Sequence, residues 1–206
     1  IAQLWGKKDT INIKRTLSRS LFYSLVLTIV FMILGLIMPN KIMAIFNNDP
    51  NVIKIGVDYL KIVVISYLFT TITFTFASGL RSIGNTRLPM LGSFIGLIVN
   101  GVLNAILIFG LFGMPKLGIA GAAIATVIGQ IVAGTFAVIL NLKKNKEIHL
   151  HLKGFRLEKE YLGRILYVGI PSVLMVAIGS VMSYGMNLIL MTFSSTAVAV
   201  FGAYYK

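Results

Sequence analysis

Residues 88–115 read LPMLGSFIGLIVNGVLNAILIFGLFGMP and contain no aspartate, glutamate, lysine or arginine. A helix needs about 20 consecutive apolar residues to cross the hydrocarbon core of a bilayer, so this stretch is long enough for one crossing. Four more runs without a charged residue are also long enough, and they cover residues 20–40, 62–80, 117–142 and 165–205. Together they predict an all-α, polytopic membrane protein with five spans, at about residues 17–38, 55–80, 88–112, 117–142 and 165–193.

The composition of the chain supports the same class. Of its 206 residues, 57% are apolar and 12% are charged, whereas a soluble domain has about 45–50% apolar and about 25% charged residues. A soluble globule and a disordered chain are therefore excluded as the main interpretation. The absence of cysteine excludes disulfides, thiolate metal sites and cysteine catalysis. The chain opens at Ile1 rather than at a methionine, which indicates a fragment of a longer protein.

The distribution of lysine and arginine predicts an orientation. The formal net charge is +13, but the basic residues lie between apolar spans, which favours a role in membrane topology over nucleic-acid binding. The first, third and fifth flanks of the spans hold five, two and seven basic residues, and the other three flanks hold three, one and one. We therefore expect the residue 1 end, the loop with Arg81 and Arg87, and the polar segment 143–164 to be cytoplasmic. We interpret 143–164 as a linker between two bundles, formed by residues 1–142 and 165–206.

Uncharged polar residues inside the spans are the candidates for a functional site, because no acidic or basic residue lies deep in any span. Asn100 and Asn104 share one helix face with Ser93 and Gly96. Two amides at mid-membrane need hydrogen-bond partners that lipid does not supply. They either link neighbouring helices or line a cavity for a substrate or an ion, and the pattern leaves both open.

The next two spans carry further candidates. Thr126 and Gln130 form a polar stripe with Ala122, although a lone threonine usually bonds its own preceding turn. In the last span, Pro171 and Gly179 permit bending and are predicted hinges.

The sequence shows no pattern typical of an enzyme. It has no Ser-His-Asp set, no paired carboxylates and no glycine-rich phosphate loop. His149 and His151 lie close together, but no further metal ligands accompany them. We expect neither catalysis nor a metal or other cofactor.

Six stretches resemble the multidrug and toxic compound extrusion (MATE) family of transporters, in the order in which that family shows them. They are QLWGKKD (3–9), FASGLRSIGNTRLPM (76–90), VNGVLNAILIFG (99–110), LGIAGAAIATVIGQ (117–130), GIPS (169–172) and TAVAVFG (196–202). The resemblance covers nearly the whole chain. It implies helices three to seven of a twelve-helix, two-lobe bundle, so that the first two helices and most of the second lobe are absent. Residues 1–142 then belong to the N-terminal lobe, 143–164 to the interlobe linker and 165–206 to the start of the C-terminal lobe.

The resemblance also implies a function. Members of the family export cationic or amphipathic compounds in exchange for sodium ions or protons, by alternating access. Positions in the cavity of their N-terminal lobe match Asn100, Asn104 and Thr126, and Tyr59 is similar to a tyrosine of their fourth helix. We include Gln130 in the cavity because it continues the stripe of Thr126. The implied location is the plasma membrane. The implied partners are a small-molecule substrate and the lipid bilayer, with no nucleic acid, and the complete protein is expected to be a monomer.

One departure from the family concerns coupling. Many members carry Asp-Pro where this chain has Asn104-Ala105, and some carry a glutamate on helix seven where Gly179 falls. Since an asparagine does not bind and release a proton near neutral pH, proton coupling would need an acid outside these residues. The first helix of the family is the expected place for it. Sodium coupling remains open, because amide and hydroxyl oxygens can bind a cation.

Two alternatives to export remain at this point. A lipid-linked sugar flippase of the same superfamily would hold a diphosphate and should carry deep arginine or lysine, which these spans lack. A non-transporting membrane scaffold would use the two asparagines as links between helices.

Overall fold

The computed structural model describes residues 1–46, 49–144 and 159–204. Within these ranges the chain is helical, and no β-strand occurs. The elements are α1 (Ala2–Gly6), α2 (Thr10–Ile37), α3 (Pro39–Ala44), α4 (Pro50–Val63), α5 (Ser66–Ser82), α6 (Arg87–Phe109), a 3₁₀ turn (Leu111–Gly113), α7 (Ile119–Lys144), α8 (Lys159–Met191) and α9 (Ser195–Tyr204). The predicted class of an all-α, polytopic membrane protein is confirmed.

The chain forms two units, Ile1–Leu157 and Glu158–Lys206. In the first unit, α7 packs against α4, α5 and α6, and α2 packs against α5. In the second unit, α8 packs against α9. In the described ranges four helices are long and apolar enough to cross a membrane, namely α2, α6, α7 and α8. The bent pair of α4 and α5 would supply a fifth crossing if it counts as one span.

Local chemistry sets several of the helix ends. Asp9 caps α2, since its Oδ1 accepts from the backbone N–H of Asn12 at 3.1 Å. The side-chain amide of Asn12 donates to Asp9 Oδ2 at 2.6 Å, and these bonds, the side-chain one first, lower the pKa of the Asp9 carboxyl below its ordinary value. At the other end of the bundle, Gly110 ends α6 in the left-handed conformation (φ 74°) that glycine adopts without strain.

Helices α2 and α5 of the first unit run antiparallel. Between α2 and α5, Ser24 Oγ lies 3.4 Å from Thr75 Oγ1, and Thr28 Oγ1 lies 2.6 Å from Thr71 Oγ1. The numbers rise along α2 as they fall along α5, so the start of α2 meets the end of α5. At that end, Ile13, Leu17 and Phe76 form a buried cluster, and hydrophobic residues of the adjacent elements pack on it, among them Ile1, Trp5, Ile83 and Val138.

The predicted span at 55–80 is not one helix, which corrects the sequence analysis. It is divided into α4 and α5, which meet at an angle of 54°. The four residues before Ser66 are β-branched and have low helix propensity. The Ser66 hydroxyl donates to the carbonyl of Val63 at 2.7 Å and so competes for a backbone acceptor at the break. Val64, which is fully buried, anchors the break beside Gly35 of α2, where a Cβ on the glycine would lie 3.1 Å from Val64 Cγ2.

The predicted linker 143–164 also has different bounds. Helix α7 continues to Lys144, and α8 begins at Lys159, six residues before the predicted start of the last span. Leu162 and Ile165 carry the apolar helical spacing back into the predicted linker, which is consistent with the earlier start. The rest of the linker, with His149 and His151, lies outside the described residues.

Candidate functional site

Three of the predicted residues form a connected set between α6 and α7. Asn104 Nδ2 donates to Asn100 Oδ1 at 2.9 Å, and Asn100 Nδ2 donates to Thr126 Oγ1 at 3.3 Å. The Thr126 hydroxyl in turn donates to the carbonyl of Ala122 at 2.9 Å. We call Asn104, Asn100 and Thr126 the amide ladder. Its bond from Asn100 to Thr126 joins the two helices through side chains 26 residues apart in sequence.

Small residues bring α6 and α7 close enough for this contact. A Cβ on Gly129 would lie 3.0 Å from Asn100 Cβ and 3.1 Å from the carbonyl oxygen of Gly96. A Cβ on Gly96 would lie 2.9 Å from Ala133 Cβ. Ala125, Gly129 and Ala133 lie four residues apart on α7, a spacing of small residues that is typical of closely packed membrane helices. This stripe therefore allows α6 and α7 to approach closely.

The ladder has a free end at Asn104. Its Oδ1 is buried and accepts no hydrogen bond from the described residues. A buried acceptor without a partner carries a desolvation cost of about 1–3 kcal/mol. This oxygen can accept a hydrogen from a bound solute, or bind a cation, but as an amide it does not exchange a proton near neutral pH.

The other predicted cavity residues are not joined to the ladder. Gln130 lies one turn beyond Thr126 on α7 and is half-buried. Tyr59 is half-buried on α4, a helix that also packs against α7. Within the described part of the chain, no hydrogen bond links either side chain to the ladder. Ser93, which shares the predicted face of α6, is exposed.

The predicted hinges lie in the second unit. Helix α8 continues through Pro171 without a break, and both Pro171 and Gly179 are exposed. The hydroxyls of Ser172 and Ser183 donate to carbonyls of their own helix, whereas Asn187 Oδ1 is buried and accepts no hydrogen bond from the described residues. The role of Pro171 and Gly179 in bending stays a prediction.

Two polar features were missed by sequence reasoning. The hydroxyl pairs between α2 and α5 join Ser24 to Thr75 and Thr28 to Thr71. Each helix carries its two hydroxyls four residues apart, and that matching spacing is the signal that could have paired them. Asn141, near the end of α7, is 1% exposed, and neither its Nδ2 nor its Oδ1 has a hydrogen-bond partner among the described residues.

No group of three or more metal-ligating side chains occurs in the ranges that the structure describes. The polar groups of the amide ladder are two amides and a hydroxyl. Such groups suit hydrogen bonding or the binding of a hard cation rather than a transition metal.

Comparisons with known proteins identify relatives of this chain. A family model described as MatE matches residues 1–106. The multidrug export protein MepA of Staphylococcus haemolyticus is 32% identical over the whole chain, which covers 45% of that protein. The probable multidrug resistance protein YoeA of Bacillus subtilis is 29% identical over the whole chain, which covers 42% of it. The chain thus spans a little under half the length of these relatives.

The fold is found in solved structures. An outward-facing multidrug resistance MATE family transporter of the MOP superfamily matches 99% of this chain with a TM-score of 0.83 and 24% sequence identity. The match covers 45% of that transporter. At this level of identity the likeness shows the fold, which is that of a part of a MATE transporter.

Proposed function

The chain belongs to the MatE family, and from that premise we propose that its protein exports small amphipathic or cationic compounds by alternating access. The family consists of transporters, which supports the expectation that the protein is not an enzyme. The names of the relatives MepA and YoeA, multidrug export and multidrug resistance proteins, support export of foreign compounds as the direction of transport.

The amide ladder is the observation that carries the proposal. It includes a buried acceptor, Asn104 Oδ1, that has no hydrogen-bond partner among the described residues and lies in a charge-free span. Polar groups within a transmembrane bundle are costly and often mark the path of a solute or ion. We assign Asn100, Asn104 and Thr126 to the wall of the transport cavity, with Gln130 and Tyr59 as further lining residues. Bending of α8 at Pro171 and Gly179 would change the side to which the cavity opens.

A gradient of sodium ions or protons would drive the exchange. The ladder supports sodium better, because its oxygens can bind a cation and none of its groups titrates near neutral pH. If protons are exchanged instead, the titrating acid lies outside the ladder.

The charge pattern supports a plasma-membrane protein whose residue 1 end and whose segment 143–164 face the cytoplasm. The loop before Pro50 would then face outward.

Dye efflux by cells that express the protein from its complete gene tests the proposal. Asn104→Leu removes the free acceptor and the donor to Asn100, and we expect a loss of efflux of about tenfold or more, equivalent to about 1.4 kcal/mol. The matched control is Asn51→Leu, which changes an exposed asparagine at the start of α4 and should leave efflux unchanged. Unaltered efflux and ion dependence in the Asn104 variant would remove Asn104 from the mechanism.

A scaffold role is the second candidate, since the ladder also links α6 to α7 within the chain. Purified protein in sealed vesicles distinguishes the two. Transport of a dye against its gradient supports export, and a complete lack of movement under either ion gradient supports the scaffold.

A further inference from the structure

The described cations are unevenly divided between the two ends of the first unit. Six exposed lysines and arginines lie at the end where α2 and α6 begin and α5 and α7 finish, and we call them the basic end: Lys7, Lys8, Arg15, Arg81, Arg87 and Lys143. They come from three separate parts of the chain.

Helix packing brings these three parts to the same end. Leu17 of α2 contacts Gly79 of α5, where an added Cβ would lie 2.9 Å from Leu17 Cδ1. Phe136 of α7 lies beside Gly92 of α6, at 3.3 Å from the position of a Cβ. Each contact lies within about three turns of a cation of the basic end, at a rise of 1.5 Å per residue.

Negative charge at this end is limited to Asp9 among the side chains that the structure describes. The two hydrogen bonds from Asn12 already engage the Asp9 carboxylate. Six exposed cations outnumber this one carboxylate, which leaves a strongly positive surface.

The opposite end is different. Its exposed lysines, Lys41, Lys54, Lys61 and Lys116, share the surface with Asp49 and Asp58. Two aspartates offset four lysines there, whereas one aspartate offsets six cations at the basic end. Among the described side chains, the basic end therefore offers an anion the stronger positive field.

The apolar residues around the basic end indicate which kind of anion it binds. The cations adjoin helices that are long and apolar enough to span a membrane. Ile11, in the first turn of α2 between Lys8 and Arg15, leaves 65% of its surface exposed. Cations beside an exposed apolar side chain, at the ends of membrane spans, suit a lipid surface, with phosphate at the level of the charges and acyl chains beneath. The arginines can bind phosphate oxygens through two N–H groups at once.

We propose that the basic end binds the headgroups of anionic phospholipids in the leaflet that it faces. This contact holds the α1–α2 corner, the α5–α6 turn and the end of α7 at the membrane interface. It does not depend on the transport proposal, because it uses none of the residues of the amide ladder.

Lipid binding by the detergent-purified protein, expressed from its complete gene, tests this inference. Native mass spectrometry would count bound phosphatidylglycerol and phosphatidylcholine at equal added concentrations. The test variant is Lys7→Gln/Arg15→Gln/Lys143→Gln, and the matched control is Lys41→Gln/Lys54→Gln/Lys61→Gln at the opposite end. Both variants lower the net charge equally. All six positions are exposed, and melting temperatures would verify that both variants are folded.

We expect the test variant to bind phosphatidylglycerol about tenfold more weakly than the wild type, since each cation near the surface contributes to the attraction of anionic lipid. The control should change by less than about twofold, and neither variant should alter phosphatidylcholine binding. High salt should weaken phosphatidylglycerol binding by the wild type. Equal loss in both variants, no loss in the test variant, or displacement of the lipid by inorganic phosphate or RNA at constant ionic strength would overturn the inference.

Discussion

At the level of single residues, the polar side chains inside the bundle differ in whether they form hydrogen bonds within their own helix or to a neighbouring helix. The hydroxyl of Thr70 donates only to the carbonyl of Ser66 in its own helix. The hydroxyl of Thr126 makes the same kind of local bond and also accepts from Asn100. These two threonines therefore differ in the cost of losing the hydroxyl, because of the two only Thr126 leaves another part-buried polar group, the Asn100 amide, unpaired.

A substitution at each threonine measures this difference. We expect Thr126→Val to lower the free energy of unfolding by about 1–3 kcal/mol, because Asn100 Nδ2 loses its acceptor. Thr126→Ser keeps the hydroxyl and should retain most of the stability. Thr70→Val removes only a local bond and serves as the control. Thermal unfolding of the purified protein gives the ranking, and equal loss at both positions would contradict the ladder.

Asp9 predicts a pH dependence at the start of α2. The hydrogen bonds from Asn12 lower the pKa of its carboxyl in the folded state, so its contribution to stability is complete above the unfolded pKa of about 3.9. That contribution is lost as the pH falls through the lower, folded pKa. Asp9→Asn keeps a capping side chain and does not titrate. The melting temperature of the wild type should therefore fall more between pH 5 and pH 3, a range of about two units around that pKa, than that of the variant. Parallel curves would show that the cap does not titrate with the fold.

At the scale of the element, the amide ladder depends on how closely α6 and α7 pack. A Cβ on Gly121 would lie 2.6 Å from the carbonyl oxygen of Leu107, a backbone atom that cannot rotate away. A Cβ on Gly101, in the same pair of helices, would meet no atom within 4 Å. Gly121 is thus needed for the close approach of the two helices. The structure shows no such need at Gly101.

Alanine at each position separates these cases. Gly121→Ala should destabilise the protein by about 1–3 kcal/mol, because the helices must move apart to admit the methyl group. Gly101→Ala should be neutral, or stabilising by up to about 1 kcal/mol through helix propensity. Comparison of the melting temperatures of the two variants checks this, and a neutral Gly121→Ala would show that α6 and α7 can separate at this contact without cost.

Helix packing also marks the limit of what the sequence could predict. Charge-free runs of sufficient length predicted the spans, because a bilayer imposes a length on any helix that crosses it. Spacing by three and four placed Asn100 and Asn104 on one face of α6. The partner Thr126 and the hydroxyl pairs of α2 and α5 depend on the register between helices, which one sequence does not contain. The break near Val64 combines weak helix propensity with a contact to Gly35, and only the first cause is local.

At the scale of the whole molecule, orientation follows from charge rather than from packing. The helices would pack in the same way whichever end faced the cytoplasm, but lysine and arginine in short loops resist translocation across the membrane. The basic end and the start of α4 at Pro50 lie at opposite ends of the first unit, so one labelled position at each end decides the orientation. Since these 206 residues contain no cysteine, an introduced thiol reports on its own position.

Cysteine labelling in intact cells would measure this orientation in the complete protein, with any cysteine elsewhere in it replaced. Asn51→Cys and Lys143→Cys both alter exposed positions. We expect a membrane-impermeant maleimide to label Asn51→Cys from outside, and to label Lys143→Cys only after the membrane is permeabilised. The wild type without cysteine is the blank, and a denatured sample shows that both thiols can react. The reverse pattern would place the basic end outside the cell. That result would contradict the positive-inside rule, which places loops rich in lysine and arginine in the cytoplasm.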